Sequence, residues 1–166
     1  MWFDVEAVPL AFTESSPYHI ENIVRIEASP ARVFEIWATG ERQRDWFQDF
    51  VDNRWTSPAP HGVGAEREVE LALLTVKERF LAWEPGKRMT FHIYGITLPL
   101  VTAMVEDLRL EPDGEGATRM TWRVHYRPSL LMRLVHPVGR AVFGRLFRRS
   151  AAGLARYAKD HPTAPS

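Results

Sequence analysis

Residues 18–40 read YHIENIVRIEASPARVFEIWATG, and this stretch determines how the fold begins. Apolar and polar residues alternate from residue 18 to residue 28, which is typical of a half-buried strand. Ser29 and Pro30 then predict the start of a helix, because serine accepts a hydrogen bond from a free backbone N–H and proline fits the first helical turn. The helix is expected to end before Gly40, since glycine readily adopts the left-handed conformation of a helix end.

Beyond this helix the pattern becomes that of a sheet. A second short helix is expected over residues 41–48, where it presents Trp46 and Phe47. Six strands follow, at about residues 51–57, 64–72, 74–83, 88–94, 98–111 and 117–127. Short turn sequences such as Glu84-Pro85-Gly86-Lys87 separate them, and connections of this length join neighbouring antiparallel strands. The sequence therefore predicts an antiparallel meander.

Residues 129–160 predict a long helix that Pro137 either kinks or starts. The apolar stripe of this helix consists of Val138, Val142, Phe143, Leu146, Phe147, Leu154, Tyr157 and Ala158. A sheet of this size must cover one face, and only this helix is long enough to do so. We therefore expect an α+β fold in which a curved seven-stranded antiparallel sheet wraps around a long C-terminal helix, with two short helices after the first strand.

A chain of 166 residues fits one domain, and we expect residues 1–166 to form it. Residues 1–17 are an apolar extension closed by a Ser-Ser-Pro turn, and they are expected to pack on the body of the domain. Residues 18–160 form the core. Residues 161–166 form a tail that is expected to fray.

Five short motifs occur in an order and at a spacing that resemble one superfamily. They are Ala28-Ser-Pro-Ala-Arg-Val-Phe34, Trp46-Phe47, Val63-Gly-Ala65, Trp83-Glu-Pro-Gly-Lys-Arg88 and Gly116-Ala-Thr-Arg-Met-Thr-Trp122. Together they resemble the START and birch-pollen-allergen superfamily (SRPBCC), and within it the polyketide cyclase/dehydrase-like branch, over about residues 18–160. The resemblance implies a helix-grip fold with an interior cavity for an apolar small molecule. Members similar in fold bind lipids, sterols or polyketides, cyclise or dehydrate them, or act as co-chaperones.

Composition narrows the function classes. The chain contains no Cys, which excludes disulfides, thiolate metal sites and cysteine nucleophiles. No apolar run approaches the length that spans a bilayer, and the first ten residues carry no Lys or Arg, unlike a secretory signal. We therefore expect a soluble, cytoplasmic protein. Walker, G-x-S-x-G and G-x-G-x-x-G motifs are absent, and the six histidines show no metal-ligand spacing, so no cofactor and no metal are expected.

Charge is distributed unevenly although the net charge is zero. Residues 1–126 contain 13 basic and 20 acidic residues, whereas residues 127–166 contain 8 basic and 1 acidic residue. One interpretation is a solvated basic helix held against an acidic body. The alternative is a surface for anionic lipid or nucleic acid. Peripheral contact of the C-terminal helix with an anionic membrane belongs to this alternative, and no nucleic-acid partner is expected.

Strand alternation selects candidate residues for the cavity. If Leu110 pairs with Thr118, Glu106 lies opposite Trp122 and faces inward, and pairing of Phe80 with Phe91 turns Glu78 inward as well. Buried carboxylates are costly unless they are paired, hydrated or protonated. They are either satisfied structurally, by Arg67 or by turn amides, or they orient a ligand or act as general acid or base.

The candidate catalytic residues are therefore Glu78 and Glu106. The candidate ligand-binding residues are Trp37, Trp46, Arg67, Phe80, Phe91, Thr102, Met104, Met120, Trp122, Tyr126, Phe143 and Phe147. His92 and His125 have the opposite, outward parity. The leading hypothesis is binding of a hydrophobic small molecule, such as a lipid, sterol-like compound or polyketide. The alternatives are a cofactor-independent cyclase, dehydratase or isomerase, and an interaction protein that uses its basic helix at a membrane.

Overall fold

The computed structural model describes residues 1–163, so residues 164–166 of the expected tail lie outside the described residues. Its strands are β1 (Phe3–Asp4), β2 (Tyr18–Ile26), β3 (Phe50–Trp55), β4 (Glu66–Leu71), β5 (Thr75–Glu84), β6 (Arg88–Ile96), β7 (Val101–Pro112) and β8 (Thr118–Pro128). Its helices are α1 (Phe12–Ser15), α2 (Pro30–Thr39), α3 (Leu130–Leu134) and α4 (His136–Asp160).

The sheet confirms the predicted meander. Its strand order is β2-β8-β7-β6-β5-β4-β3, and every neighbouring pair is antiparallel. Strands that follow one another in the chain are neighbours from β3 to β8, as their short connections require. β2 then returns to pair along its full length with β8. The concave face of this seven-stranded sheet packs against α4, which confirms the expected α+β helix-grip architecture.

The start of the fold also follows the sequence. The Ser29 hydroxyl accepts a hydrogen bond from the Arg32 amide (3.2 Å), and Gly40 ends α2 with φ +66°. The second short helix is reduced to one 3₁₀ turn, Gln43–Asp45. Its length is limited because Arg42 immediately before it adopts φ +40°, a left-handed conformation that a regular helix does not contain.

The N-terminal extension becomes part of the sheet, which the sequence pattern does not indicate. β6 and β7 pair only as far as His92 and Val105, and their ends then separate. The chain enters this gap: β1 pairs with the end of β6, the Val5 amide donates to the Tyr94 carbonyl (3.2 Å) and the Glu6 amide donates to the Thr102 carbonyl (2.9 Å). The extension therefore closes an opening in the sheet.

The remainder of the extension covers the convex face of the sheet. Val8 and Phe12 pack on Ala103 and Val105 and form a second, small apolar cluster. The Ser16 hydroxyl lies 2.9 Å from Nδ1 of His125. The predicted packing of the extension on the body therefore has a specific form, because it buries the outward-facing side of β7 and β8.

Only part of the apolar stripe predicted for α4 is buried. From Phe147 to Ala158 its inward residues are fully buried, as predicted. Val138 and Val142, assigned to the same stripe, are instead 67% and 60% exposed. These two residues fall at helical spacing with the exposed Arg145 and Arg149, on the face of α4 opposite Phe147, so the predicted stripe placed them on the wrong side of the helix.

Candidate functional site

A cavity of about 80 Å³ lies between the concave face of the sheet and α4. Its wall is mostly apolar and includes Ile20, Val69, Phe91, Ile93, Ile96, Val124, Leu146 and Phe147. Residues of the β4–β5 turn, the β6–β7 loop and α3 form one end, which we call the mouth: Leu74, Leu100 and Met132. Trp37 and Phe47 close the other end, which we call the packed end. The space is therefore a slot whose two ends are built from different elements.

One ion pair is buried in the wall of this apolar cavity. Nε of Arg67 donates to Oε2 of Glu78 over 2.5 Å, and the side chains are 1% and 6% exposed. The guanidinium carbon lies 5.1–5.6 Å from the ring centroids of Trp55, Phe80 and Phe91. Aromatic faces favour a cation, so these rings help to hold an arginine that burial alone would penalise. Burial raises the pKa of Glu78, and the charge of Arg67 opposes this shift.

Two buried donors at the cavity have no acceptor among the described residues. They are Nη1 of Arg67 and the indole Nε1 of Trp37. Both residues line the cavity. A buried donor without a partner is costly and uncommon in native proteins. Among the described residues that line the cavity, these two donors are the buried side-chain polar atoms left without a partner.

Glu106 is the second buried carboxyl. Its Oε2 accepts a hydrogen bond from the indole Nε1 of Trp122 (2.9 Å). Burial, together with the nearby charge of Glu78, raises the pKa of Glu106 to about 8. At neutral pH this side chain is therefore mainly a neutral carboxylic acid, able to donate a hydrogen bond or a proton into the cavity.

The inward orientation of both carboxyls agrees with the strand alternation, although one assumed pairing was wrong. Phe80 does pair with Phe91. Leu110, however, pairs with Met120 and not with Thr118, which places Glu106 opposite Val124. The error is two residues because β7 continues to Pro112, which takes the place expected for Leu110 opposite Thr118. An even slip leaves every side chain on its original face.

The structure brings together most of the candidate ligand-binding residues. Those that line the cavity, besides Glu78 and Glu106, are Trp37, Arg67, Phe91, Met104, Tyr126, Phe143 and Phe147. Four others are fully buried in the core outside the lining: Trp46, Phe80, Met120 and Trp122. Trp46 and Trp122 contact Trp37 edge-to-face with centroid distances of 5.1 and 4.9 Å, so they support the wall from behind.

Thr102 contradicts its predicted inward position, because it is exposed. The pairing of β7 with β8 shifts between Val101 and Ala103, so Thr102 is the extra residue of a β-bulge and is turned outward. Sequence alternation contains no sign of such an insertion. Strand alternation also does not identify lining residues that lie outside the strands, among them Phe47, Met132 and His136.

The polar residues of the convex face do not reach the cavity. Asp107 is buried there and accepts hydrogen bonds from Arg88, Thr90 and Arg109 over 2.6–2.9 Å. These donors hold the pKa of Asp107 below its ordinary value against the opposing effect of burial. His125 lies on the same face under the N-terminal extension, and burial lowers its pKa. This group is a structural network on the opposite side of the sheet.

Comparison with known proteins agrees with this arrangement. Residues 17–159 match the family described as polyketide cyclase / dehydrase and lipid transport. The chain belongs to this family. A family relative, the uncharacterized protein Rv2574 of Mycobacterium tuberculosis, is 32% identical over 156 residues, which cover 93% of each chain.

Solved structures show the same fold at low sequence identity. The ZhuI aromatase/cyclase of Streptomyces sp. R1128 superposes with a TM-score of 0.68 at 14% identity, over 85% of this chain and 94% of that one. A START superfamily protein of Mycobacterium smegmatis superposes with a TM-score of 0.62 at 11% identity, over 86% and 94% of the two chains. Among residues 1–163, no helix has the length and apolar character needed to cross a bilayer.

Proposed function

We propose that this protein binds an amphiphilic small molecule of the lipid, sterol-like or polyketide kind, with its apolar body in the cavity and an oxygen-bearing polar group beside Arg67. The observation that carries the proposal is the pair of buried donors without acceptors, on Arg67 and Trp37, in an otherwise apolar wall. A carbonyl, hydroxyl or carboxylate oxygen beside Arg67 would give its Nη1 the missing acceptor, and the neutral carboxyl of Glu106 adds a further donor. The family description, which includes lipid transport, supports the same class of ligand.

Apolar burial alone sets an upper limit on the affinity. Burying roughly 300 Å² of apolar ligand surface contributes about 7 kcal/mol before ordering costs, so affinity in the micromolar range also requires the polar contacts beside Arg67. The cavity of about 80 Å³ is smaller than the roughly 300–1,000 Å³ that holds drug-sized ligands. Binding therefore requires the mouth to widen. Flexible Met132 and half-buried Phe143 lie there and are the side chains that have to move.

A cavity-filling pair of variants tests this proposal. Met104 points into the cavity from β7, whereas Thr102 on the same strand is exposed. We expect Met104→Trp to weaken binding of a fluorescent fatty-acid probe by at least tenfold, and Thr102→Trp to leave it unchanged. Native mass spectrometry of the purified protein would identify any ligand that copurifies. Absence of saturable probe binding by the wild type, or equal binding by both variants, would refute the proposal.

A second candidate function is catalysis without a cofactor, and the raised pKa of Glu106 favours it. A neutral carboxyl in a water-poor cavity is suited to protonate a leaving hydroxyl, as cyclase or dehydratase chemistry requires. The hydroxyl would leave as water, and the carboxylate of Glu78, held by Arg67, would take the proton from the adjacent carbon as the double bond forms. If a captured ligand loses water on incubation with the wild type but not with Glu106→Gln, the protein is an enzyme. An unchanged ligand mass supports binding alone.

A further inference from the structure

The mouth of the cavity is bordered by apolar side chains that project into solvent. Six lie in α3, in the first turns of α4 or at the junction between the two helices, and they are 51–80% exposed: Leu130, Leu131, Leu134, Val135, Val138 and Val142. Leu73 in the β4–β5 turn is 85% exposed and Leu98 in the β6–β7 loop is 39% exposed. We call these eight residues the apolar rim. Single exposed aliphatics are ordinary, but a cluster of this size marks an interaction surface.

Hydrogen bonds join the three segments that carry the rim. The Thr97 amide donates to the Thr75 carbonyl (3.1 Å), which connects the β6–β7 loop with the start of β5. The Ser129 amide donates to the Leu100 carbonyl (3.0 Å), and the Ser129 hydroxyl donates to the Pro99 carbonyl (2.6 Å). The rim is therefore one continuous surface. Its residues lie in the same three segments as the lining residues Leu74, Leu100 and Met132, so it borders the mouth.

Arginines flank this surface and are not neutralised. Residues 130–149 contain five arginines and no acidic residue, and none of the five forms an ion pair within the described part of the chain. Val138, Val142, Arg145 and Arg149 follow one another at helical spacing, so the exposed face of α4 changes from aliphatic to cationic. Glu70 beside the β4–β5 turn is the nearby acidic exception.

We propose that the apolar rim docks on an anionic lipid bilayer, with the aliphatic side chains at the boundary between headgroups and acyl chains and the arginines on lipid phosphates. Exposed aliphatics beside cations are the composition of helices that lie in a membrane interface. Arginine side chains are long enough to extend their charge to the headgroup level. The bilayer then faces the mouth, which would let a ligand pass between the membrane and the cavity.

The apolar rim and the arginines beside it disfavour two other binding partners, a second copy of the chain and nucleic acid. A second copy placed by twofold symmetry would bring the cationic stretch of α4 against its own equivalent, and like charges would oppose the contact. Nucleic acid would satisfy the arginines but would leave eight aliphatic side chains uncovered, and the rim contains no aromatic side chain for base stacking. An anionic bilayer satisfies both the apolar and the cationic parts.

Docking stands on these observations alone, whereas its use as a ligand entrance rests on the proposed function. The test measures sedimentation with phosphatidylcholine vesicles, with and without phosphatidylglycerol. We expect the wild type to bind vesicles that contain phosphatidylglycerol and to be released by high salt. The double variant Leu131→Ser/Leu134→Ser should reduce the partition coefficient by roughly tenfold or more, because it removes apolar surface from the interface. Arg145→Gln/Arg149→Gln should abolish most of the preference for phosphatidylglycerol.

Val63→Ser is the matched control. Val63 is also exposed (70%), but it lies in the loop at the other end of β4 from Leu73. We expect this variant to sediment as the wild type does. Equal binding of the wild type and Leu131→Ser/Leu134→Ser would overturn the proposal. So would a wild-type dimer in solution that this double variant converts to a monomer, because a second copy would then be the occupant of the rim.

The two proposals fail separately. Binding of the fluorescent fatty-acid probe in vesicle-free buffer reports the cavity, whereas sedimentation reports the rim. Loss of vesicle binding in the rim variants with unchanged probe binding supports docking as a distinct property. If the wild type binds vesicles but never binds the probe, the docking proposal is supported and the ligand-binding proposal is refuted.

Discussion

Helix α4 has two halves with different surroundings. In the C-terminal half, Phe147, Leu154 and Tyr157 are at most 5% exposed and pack against α2, the 3₁₀ turn and the sheet. In the N-terminal half, Val138 and Val142 project into solvent while the opposite side, with Gly139 and Phe143, lines the cavity.

The difference indicates that one helix serves two purposes. Its C-terminal half is fixed by close packing and contributes more to stability than the N-terminal half, because buried apolar area is the main favourable term in folding. Its N-terminal half has few buried neighbours and belongs to the part of the molecule that can open at low cost. Stability and ligand access are therefore separated along one element, and substitutions in the two halves should have different consequences.

The largest expected contrast comes from truncating one apolar side chain in each half. The Phe147 ring packs edge-to-face on Trp122 with centroids 5.1 Å apart, and we expect Phe147→Ala to lower the free energy of unfolding by about 3–5 kcal/mol. Val142→Ala should change it by less than about 0.5 kcal/mol, since the side chain is exposed. Urea unfolding of both variants measures this. Similar losses would show that the N-terminal half is packed as tightly as the other.

Two glycines of α4 give a second contrast, in which the sign of the effect differs. A Cβ on Gly153 would lie only 2.2 Å from the backbone carbonyl oxygen of Trp46, so Gly153→Ala should cost about 2–4 kcal/mol. A Cβ on Gly144 would meet no described atom within 4 Å, and Gly144→Ala should stabilise the helix by up to about 1 kcal/mol. Thermal unfolding of the two variants is the measurement. A stabilised Gly153→Ala would contradict close packing of the C-terminal half.

The dependence of stability on pH tests whether the packed end of the cavity is dry. Glu106 has a folded-state pKa of about 8 against an ordinary value of 4.5, so between these values the native protein keeps a proton that the unfolded chain has lost. Its contribution to stability is complete below the unfolded pKa and is lost as the pH rises through the folded one. Between about pH 5.5 and 7, the free energy of unfolding should therefore fall by about 2 kcal/mol more in the wild type than in Glu106→Gln.

Urea unfolding of the wild type and Glu106→Gln across this range isolates the effect of Glu106. Glu78, whose pKa burial also raises, and His92 and His125, whose pKa values burial lowers, are present in both proteins. The glutamine oxygen can still accept the hydrogen bond from Trp122, so packing is preserved. Parallel pH profiles would mean that water reaches Glu106 and that the end of the cavity beside Trp37 is wet.

Local features of the fold were predictable from the sequence. Ser29 and Gly40 at the ends of α2 act within a few residues, and the short turns fix which strands are neighbours. The inward orientation of Glu78 and Glu106 was also predictable, because alternation tolerates the two-residue error in the pairing of Leu110.

Features that depend on distant parts of the chain were not predictable. The bulge at Thr102 adds one residue, which alternation cannot show. The gap between β6 and β7 that receives Val5 exists only once the sheet is curved. The sequence therefore indicates which residues are apolar, but the sheet decides which of them become core, cavity wall or surface.

The smallest expected effects come from two tyrosines, Tyr157 in the C-terminal half of α4 and Tyr126 at the cavity wall. The Tyr157 hydroxyl donates to Oε1 of Glu41 (2.6 Å), a carboxylate that Arg32 also holds (2.7 Å), whereas the Tyr126 hydroxyl lies 2.9 Å from Nε2 of His136 at the cavity wall. A hydrogen bond to a charged partner contributes more than a neutral one, so Tyr157→Phe should cost about 1–2 kcal/mol and Tyr126→Phe about 0.5 kcal/mol. Probe affinity should change only in Tyr126→Phe, because Tyr126 lines the cavity and Tyr157 does not. If Tyr157→Phe altered probe affinity, the C-terminal half of α4 would be coupled to the ligand site and the separation of stability from access would fail.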